Sequence, residues 1–392
     1  MKVPFFRPAA ASEATAARLT LACGAVLRSG VYVSGPQAAR LEERLSALLD
    51  GRPVVAVNSG SDALLLALRT LGVGHVGGGS PDDEVLLPSY TFAACAEAVV
   101  SAGARPVFVD SASDDFLPPL AHYQAARGPR TRAILAVGLF GDATGLPGLA
   151  AYCRTQQLWL VEDIAQCLGA QTATAEGATQ WAGTWGDAAA MSFYPTKTLG
   201  AAGDAGAVAF KNARHANAAR LMRNHGYRSG KHHCLGQNSR MDELQACLLH
   251  LALDDFPAAM ARRRSIAARY LAAWRDGNMV LPHGRSGHAW NYFVLTLPGR
   301  DERQALAEHL ADRGIETRIY YDEPLHRQPG LQPWQTGAAA LPNSERFAER
   351  SLALPLYPML TDSEVDHVIG AVQQALGLLR WTADVQVQAA SV

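Results

Sequence analysis

Through the first two-thirds of the chain, short unbroken apolar runs alternate with segments whose apolar positions recur every three or four residues. VLLP (85–88), RPVFVD (105–110), AILAVGLF (133–140), LWLVED (158–163), AAAMSFYP (188–195) and AGAVAF (205–210) read as strands buried on both faces. ALLLALRTL (63–71), AEAVVSAG (96–103) and LAAYCRTQQ (149–157) read as helices between them. Such alternation predicts an α/β domain with a mostly parallel sheet covered on both faces. Near residue 250 the pattern changes. MDELQACLLHLAL (241–253) predicts a helix with Leu244, Cys247, Leu248 and Leu251 on one face, and ARRRSIAARYLAAW (261–274) a second, basic helix. A strand at 291–297 and helices at 301–314 and 363–379 follow. Fewer strands and more helix predict a large domain over 1–255, a smaller α+β domain over 256–380, and a frayed tail over 381–392. The glycine-rich stretch 74–83 reads as a surface loop.

Composition narrows the function classes. The 392 residues suit roughly two domains. With 35 basic and 36 acidic residues the formal net charge is −1, which gives no reason to expect nucleic acid or an anionic membrane as partner. No apolar stretch approaches the ~18 residues that a membrane span requires, and the N-terminal segment lacks the apolar core of a secretory signal. The six cysteines, at 23, 95, 153, 167, 234 and 247, show neither CxxC pairing nor metal-like spacing with histidine, so no metal is expected. They read as buried thiols of a protein kept in a reducing cytoplasm.

Three segments carry chemistry. VAVNSGSDALLLAL (55–68) is a strand that turns through Gly60 into a helix. Ser61 and Asp62 are candidate caps, and the first helical N–H groups form an anion site. LWLVEDIAQ (158–166) is a buried-type strand ending in Asp163, at the sheet edge where α/β folds place ligands. Glu162 should point to the opposite face. Gln166 lies one turn beyond. SFYPTKTLGAAGDAG (192–206) is a strand end followed by a small-residue loop that holds Lys197. A lysine, a strand-end aspartate and a phosphate-ready helix start are what pyridoxal phosphate needs. Lys197 would form the Schiff base, Asp163 would pair with the protonated pyridine nitrogen, and Gln166 could reach the ring hydroxyl. Ser192 could add a hydroxyl to the phosphate, and Phe92 could stack on the ring.

The strings NSGSDALLLALR, VLLPSYTFAACAEAV, GARPVFVD, VEDIAQCLGA, SFYPTKTLGAAGDAGAV and GQNSRMDELQA, in that order, resemble the nucleotide-sugar aminotransferases of the DegT/StrS type. These belong to the fold-type-I, aspartate aminotransferase-like pyridoxal phosphate enzymes. The resemblance runs from about residue 29 to 358. It implies the cofactor roles above for Gly60, Ser61, Phe92, Asp163, Gln166, Ser192 and Lys197. It further implies that Asn238 reaches the phosphate of a neighbouring subunit, so that the working unit is a homodimer.

Some positions depart from the family pattern. Thr198 stands where asparagine is common and Ala205 where glycine is. GDATGL (141–146) replaces a GQPADM-like string. In TRIYYDEPLH (317–326), Tyr320 replaces a histidine and Asp322 a proline. The resemblance implies transfer of an amino group from L-glutamate to a keto group, the 3-keto one by the TRIYYDEPLH segment, of a nucleotide-linked deoxysugar. The family's sugar dehydratases carry histidine where this chain has Lys197. A 4-keto sugar or a keto-cyclitol is the alternative substrate, and a non-catalytic regulatory protein on the same fold is the alternative class. Candidates for the sugar nucleotide are Tyr32, Arg228, His232, His233, Tyr320, Tyr321 and His326, since diphosphate favours cations and sugar and base favour flat polar rings.

Overall fold

The apolar runs assemble into one seven-stranded sheet. A computed structural model describes residues 1–174, 177–275, 279–334 and 340–389. Its strands include β1 (Val54–Val57), β2 (Glu84–Pro88), β3 (Arg105–Val109), β4 (Thr131–Val137) and β5 (Trp159–Asp163). A separate hairpin follows, β6 (Gln171–Ala173) with β7 (Thr179–Trp181), and then β8 (Ala188–Ser192) and β9 (Gly206–Phe210). The main sheet has the order β1-β9-β8-β5-β4-β2-β3. The pairs β2/β3, β2/β4, β4/β5 and β5/β8 are parallel, while β9 runs antiparallel to both β1 and β8. The sheet is therefore mostly parallel, with β9 reversed.

Every residue of β1, β2 and β9 is buried, which explains the unbroken apolar runs. Alternate side chains feed two cores. Val55 and Val57 join Leu64, Leu68 and Leu135 on one face, whereas Val54 and Ala56 join Leu41, Leu45, Ile134 and Leu160 on the other. The covering helices are α1 (Glu13–Ser29), α2 (Pro36–Leu48), α3 (Gly60–Thr70), α4 (Ala94–Ser101), α5 (Leu120–Ala126), α6 (Leu146–Gln156) and α7 (Ala213–Met222).

After a small exposed hairpin, β10 (Tyr227–Arg228) with β11 (Lys231–His232), comes α8 (Glu243–Trp274). Two helices were expected here, and one 32-residue helix is found, with Pro257 inside it. Pro257 and its neighbours Asp254, Asp255 and Ala258 are exposed, so water can satisfy the backbone group that proline leaves unpaired. The expected apolar face is also corrected. Cys247 is buried, but Leu244, Leu248 and Leu251 are only half-buried, and Ala246, Leu249, Phe256 and Met260 enter the core instead. The rest of the helix packs elsewhere: Ile266, Ala267, Tyr270 and Trp274 enter a third core.

That third core is built with β12 (Phe293–Thr296), α9 (Arg300–Asp312), β13 (Ser351–Leu354) and α11 (Asp362–Ala389), an α+β arrangement around the β12/β13 pair, while α10 (Pro342–Arg350) sends Phe347 and Ala348 into the first core. The last helix continues through most of the segment expected to fray. The final part of that expectation, 390–392, lies outside the described residues. Among the described residues no helix is long and apolar enough to cross a membrane, and no cluster of His, Cys, Asp and Glu could hold a metal ion.

Candidate active site

Because β9 opposes both β1 and β8, those two run parallel, and the carboxyl ends of β1, β8, β5, β4 and β2 share one edge. A cleft of about 930 Å³ opens there. It brings together Gly60, Ser61, Phe92, Asp163, Gln166, Ser192, Lys197, Tyr320 and Tyr321 from five separate segments.

Asp163 ends β5 and is 7% exposed. Its Oδ1 accepts the Ala165 N–H at 2.9 Å and its Oδ2 the Cys95 S–H at 3.2 Å. Burial pushes this carboxyl above its ordinary pKa, while those two donors and the nearby Lys197 pull it back down. Burial and the Asp163 charge push the Cys95 thiol well up, so it remains a donor. Glu162 does face the other way. It is fully buried and accepts the N–H groups of Gly183, Trp185 and Gly186, which fixes the turn leading to β8.

The helix start differs in detail from expectation. Ser59, not Ser61 or Asp62, is the cap: it is extended (φ −156°, ψ 166°) and accepts the Asp62 N–H at 3.1 Å, and Gly60 is already helical. Ser61 is thereby left to line the cleft. The glycine is a packing requirement. A Cβ on Gly60 would lie 2.6 Å from Ser192 Cβ, and one on Gly206 would lie 2.3 Å from the Ser59 carbonyl carbon. The first N–H groups of α3 thus meet Ser192 across a gap without side chains.

Lys197 is half-buried in the loop between β8 and β9. Its backbone N–H is held by Tyr194 O at 2.9 Å, and its side chain has no hydrogen-bond partner among the described residues. Phe92 is 57% exposed, an unusual state for an aromatic between a strand and a helix, and its ring lies 6.1 Å from that of Tyr321. Gln166 accepts the Phe140 N–H at 2.8 Å and donates to the Tyr321 hydroxyl at 3.0 Å, which sets the orientation of its amide. Burial raises the Tyr321 hydroxyl well above its usual pKa and keeps it protonated.

Tyr320 stacks on Tyr292 at 4.6 Å between ring centres, and Tyr90 accepts the Tyr321 N–H at 3.1 Å. These contacts fix the wall that carries both tyrosines. The other substrate candidates do not line the cleft of this chain. His326 sits between the Ser89 hydroxyl (2.7 Å) and the Glu345 carboxylate (2.9 Å). Tyr32 is 51% exposed beside α1, and Arg228, His232 and His233 are exposed on the β10/β11 hairpin. Asn238 is exposed too. Its neighbours Gln237 and Ser239 both turn back to Asp62, at 2.9 and 2.7 Å, which sends Asn238 outward.

Sequence reasoning missed Phe5, Phe6, Tyr194, Tyr292 and Arg318, all of which line the cleft. Tyr194 and Arg318 lay in segments already singled out, SFYPTKTLGAAGDAG and TRIYYDEPLH, but neither residue was picked. Pyridoxal phosphate fits the residues present. A buried carboxylate faces the cleft, a lysine without a side-chain partner stands beside it, a flat ring is exposed, and a glycine-floored helix start ends the cleft.

The family profile of the DegT/DnrJ/EryC1/StrS aminotransferases matches residues 14–373. A Saccharopolyspora erythraea protein described as "Erythromycin biosynthesis sensory transduction protein EryC1" is 38% identical over 95% of this chain and 99% of its own. An Acidithiobacillus ferrooxidans UDP-N-acetyl-3-dehydro-alpha-D-glucosamine 3-aminotransferase is 36% identical over 90% and 92%. The crystal structure of S. venezuelae DesV in complex with a ketimine intermediate superimposes with a TM-score of 0.88 at 36% identity, covering 95% of this chain and 98% of that one. The chain belongs to the DegT/DnrJ/EryC1/StrS aminotransferase family.

Proposed function

We propose that this aminotransferase uses pyridoxal phosphate to move an amino group from L-glutamate to the 3-keto group of a nucleotide-linked deoxysugar. One observation carries the reading: Lys197, Asp163 and the α3 N-terminus converge on a single cleft from distant parts of the chain. The relative named for 3-amination of a UDP-linked sugar supports the position of the keto group. One relative is described as a sensory protein, but a regulator has no need of a lysine and a buried carboxylate lining one cleft.

Pyridoxal phosphate, when bound, supplies a carbon that carries the amino group and a ring that takes up electrons. The residues do the rest. The Asp163 carboxylate would hold a proton on the ring nitrogen, and its burial would strengthen that pairing. Lys197 Nζ would hold the cofactor's aldehyde carbon and would serve as the base and acid for the proton that is moved in the exchange. Gly60, Ser61 and Ser192 would hold the phosphate, Phe92 would cover the ring, and Gln166 would meet its hydroxyl. Tyr320 and Tyr321 bound the space left for the sugar.

We further propose a cytoplasmic homodimer. Leu21, Leu27, Val31, Tyr32, Val33, Tyr227 and Leu235 are large apolar side chains exposed on this chain, an arrangement suited to a subunit contact. Asn238 would reach the partner's phosphate site, and Arg228, His232 and His233 the partner's nucleotide. The six unpaired cysteines suit a reducing compartment.

A panel of dTDP-, UDP- and GDP-linked 3-keto and 4-keto sugars, each incubated with glutamate and read by mass spectrometry, tests the reading. A product heavier by the keto-to-amine exchange supports it. Amination of a 4-keto sugar or keto-cyclitol alone would replace the substrate assignment, and no amination of any acceptor would remove the activity.

A further inference from the structure

Among the described residues that line the cleft, the only cation besides Lys197 is Arg318. Its backbone is locked to β13: Arg318 N–H donates to Ala353 O at 3.1 Å and Ala353 N–H to Arg318 O at 2.8 Å. The guanidinium lies 5.5 Å from the centre of the Phe5 ring, and one Nη donates to Thr317 O at 2.9 Å. Glu316 Oε2 stands 3.8 Å from the other Nη, beyond hydrogen-bond length, and accepts the Phe5 N–H at 3.1 Å instead. Phe5 is itself placed by the pairing of Val3 with Ile315. The head group is thus propped at the cleft by a ring and a backbone carbonyl, and most of its five N–H groups have no protein acceptor.

The charge balance of the cleft gives this a purpose. Asp163, Asp204 and Glu316 line it, and both substrates of the proposed reaction are anions. With Lys197 committed to the cofactor, Arg318 is the one cation that this chain's described lining residues leave for an anionic substrate. A planar guanidinium matches the paired oxygens of a carboxylate or a phosphate. We propose that Arg318 binds an anionic oxygen group of a substrate, a carboxylate of the amino donor or a phosphate of the nucleotide sugar. The inference rests on the aminotransferase reading above and assigns a specificity residue within it.

The test uses cofactor-loaded protein and two unreactive probes, glutarate for the carboxylate and uridine or thymidine diphosphate for the phosphate, titrated by calorimetry. Arg318→Gln should weaken one probe roughly tenfold and flatten its salt dependence. Arg318→Lys, which keeps the charge but not the fork, should weaken it less. Phe5→Leu, which removes the prop, should show a smaller loss on the same probe. Loss confined to glutarate assigns the donor carboxylate, and loss confined to the diphosphate assigns the nucleotide. Equal weakening of both, weakening of neither, or wild-type protein that takes up neither probe overturns the inference. Failure of the wild type to aminate any keto-sugar would instead overturn the functional reading, so the two failures are distinguishable.

Discussion

The Cys95 thiol donates to Asp163 Oδ2 across 3.2 Å, inside a pocket where both side chains are buried. A thiol is a weak donor, so it supports the carboxylate's charge only modestly. It lies in the first turn of α4, in a position that orients the carboxylate toward the cleft.

Replacing that thiol should therefore act through pH. Cys95→Ala removes a hydrogen bond to the ionised form, so the Asp163 pKa should rise further. The acid limb of the kcat/KM profile should move to higher pH, with a few-fold loss near neutrality and little loss in alkali. Cys95→Ser, with a stronger donor, should move the limb back. A profile that is unchanged in both variants would show that the thiol only fills space.

Asp163 should cost the apoprotein stability. Its folded pKa is raised, so its contribution is fully present below the unfolded carboxylate pKa and is lost as pH rises through the folded value. Asp163→Asn avoids the buried charge. The apoprotein of this variant should melt at least as high as wild type at pH 8, with the difference shrinking as pH falls toward 4. Its turnover should drop by roughly 100-fold or more, since an amide cannot hold a proton on the ring nitrogen. Lower stability at pH 8 with near-normal turnover would contradict both halves.

Lys197→Ala should separate covalent attachment from folding. The lysine side chain has no hydrogen-bond partner among the described residues, so stability should change by no more than about 1 kcal/mol. Mass spectrometry after borohydride treatment should show pyridoxal phosphate fixed to the wild type and none on the variant. Turnover comparable to wild type in the purified variant would remove Lys197 from the mechanism.

Gly60→Ala places a methyl group 2.6 Å from Ser192 Cβ, against a strand end that is paired with Gly206 of β9. Overpacking of this kind costs about 1–3 kcal/mol. Thermal melting should register that loss, and equilibrium dialysis should show cofactor affinity reduced by tenfold or more. Unaltered affinity would mean that the phosphate does not rest on this helix start.

The sheet and its ligand residues were legible because each sits where a local pattern ends. Asp163 closes an apolar run, Gly60 opens a helix, and Lys197 follows a strand in a loop of small residues. The two halves of α8 were read apart because Pro257 is a break signal whose cost depends on exposure, which sequence does not carry. The cap at Ser59 was misplaced by two or three residues, since Ser59, Ser61 and Asp62 are all competent and only the backbone angles choose between them. Phe5 and Glu316 lie 311 positions apart, so nothing local in either segment marks their contact or the placement of Arg318 beside it. The hairpin residues 228, 232 and 233 and Asn238 are exposed and do not line their own cleft, so no contact within this chain tests the roles expected of them.

The reversal of β9 has a consequence for how the lysine loop could be exchanged. Ser192 and Gly206 are direct partners across the β8/β9 ladder, so the segment between them is a hairpin closed at its base and not a crossover. Its ends stay joined whatever the loop contains, and the closure entropy is already spent in folding the sheet. A loop of equal length taken from another member of the family should therefore graft as a unit, carrying its lysine to the same address without disturbing the strands that hold Asp163.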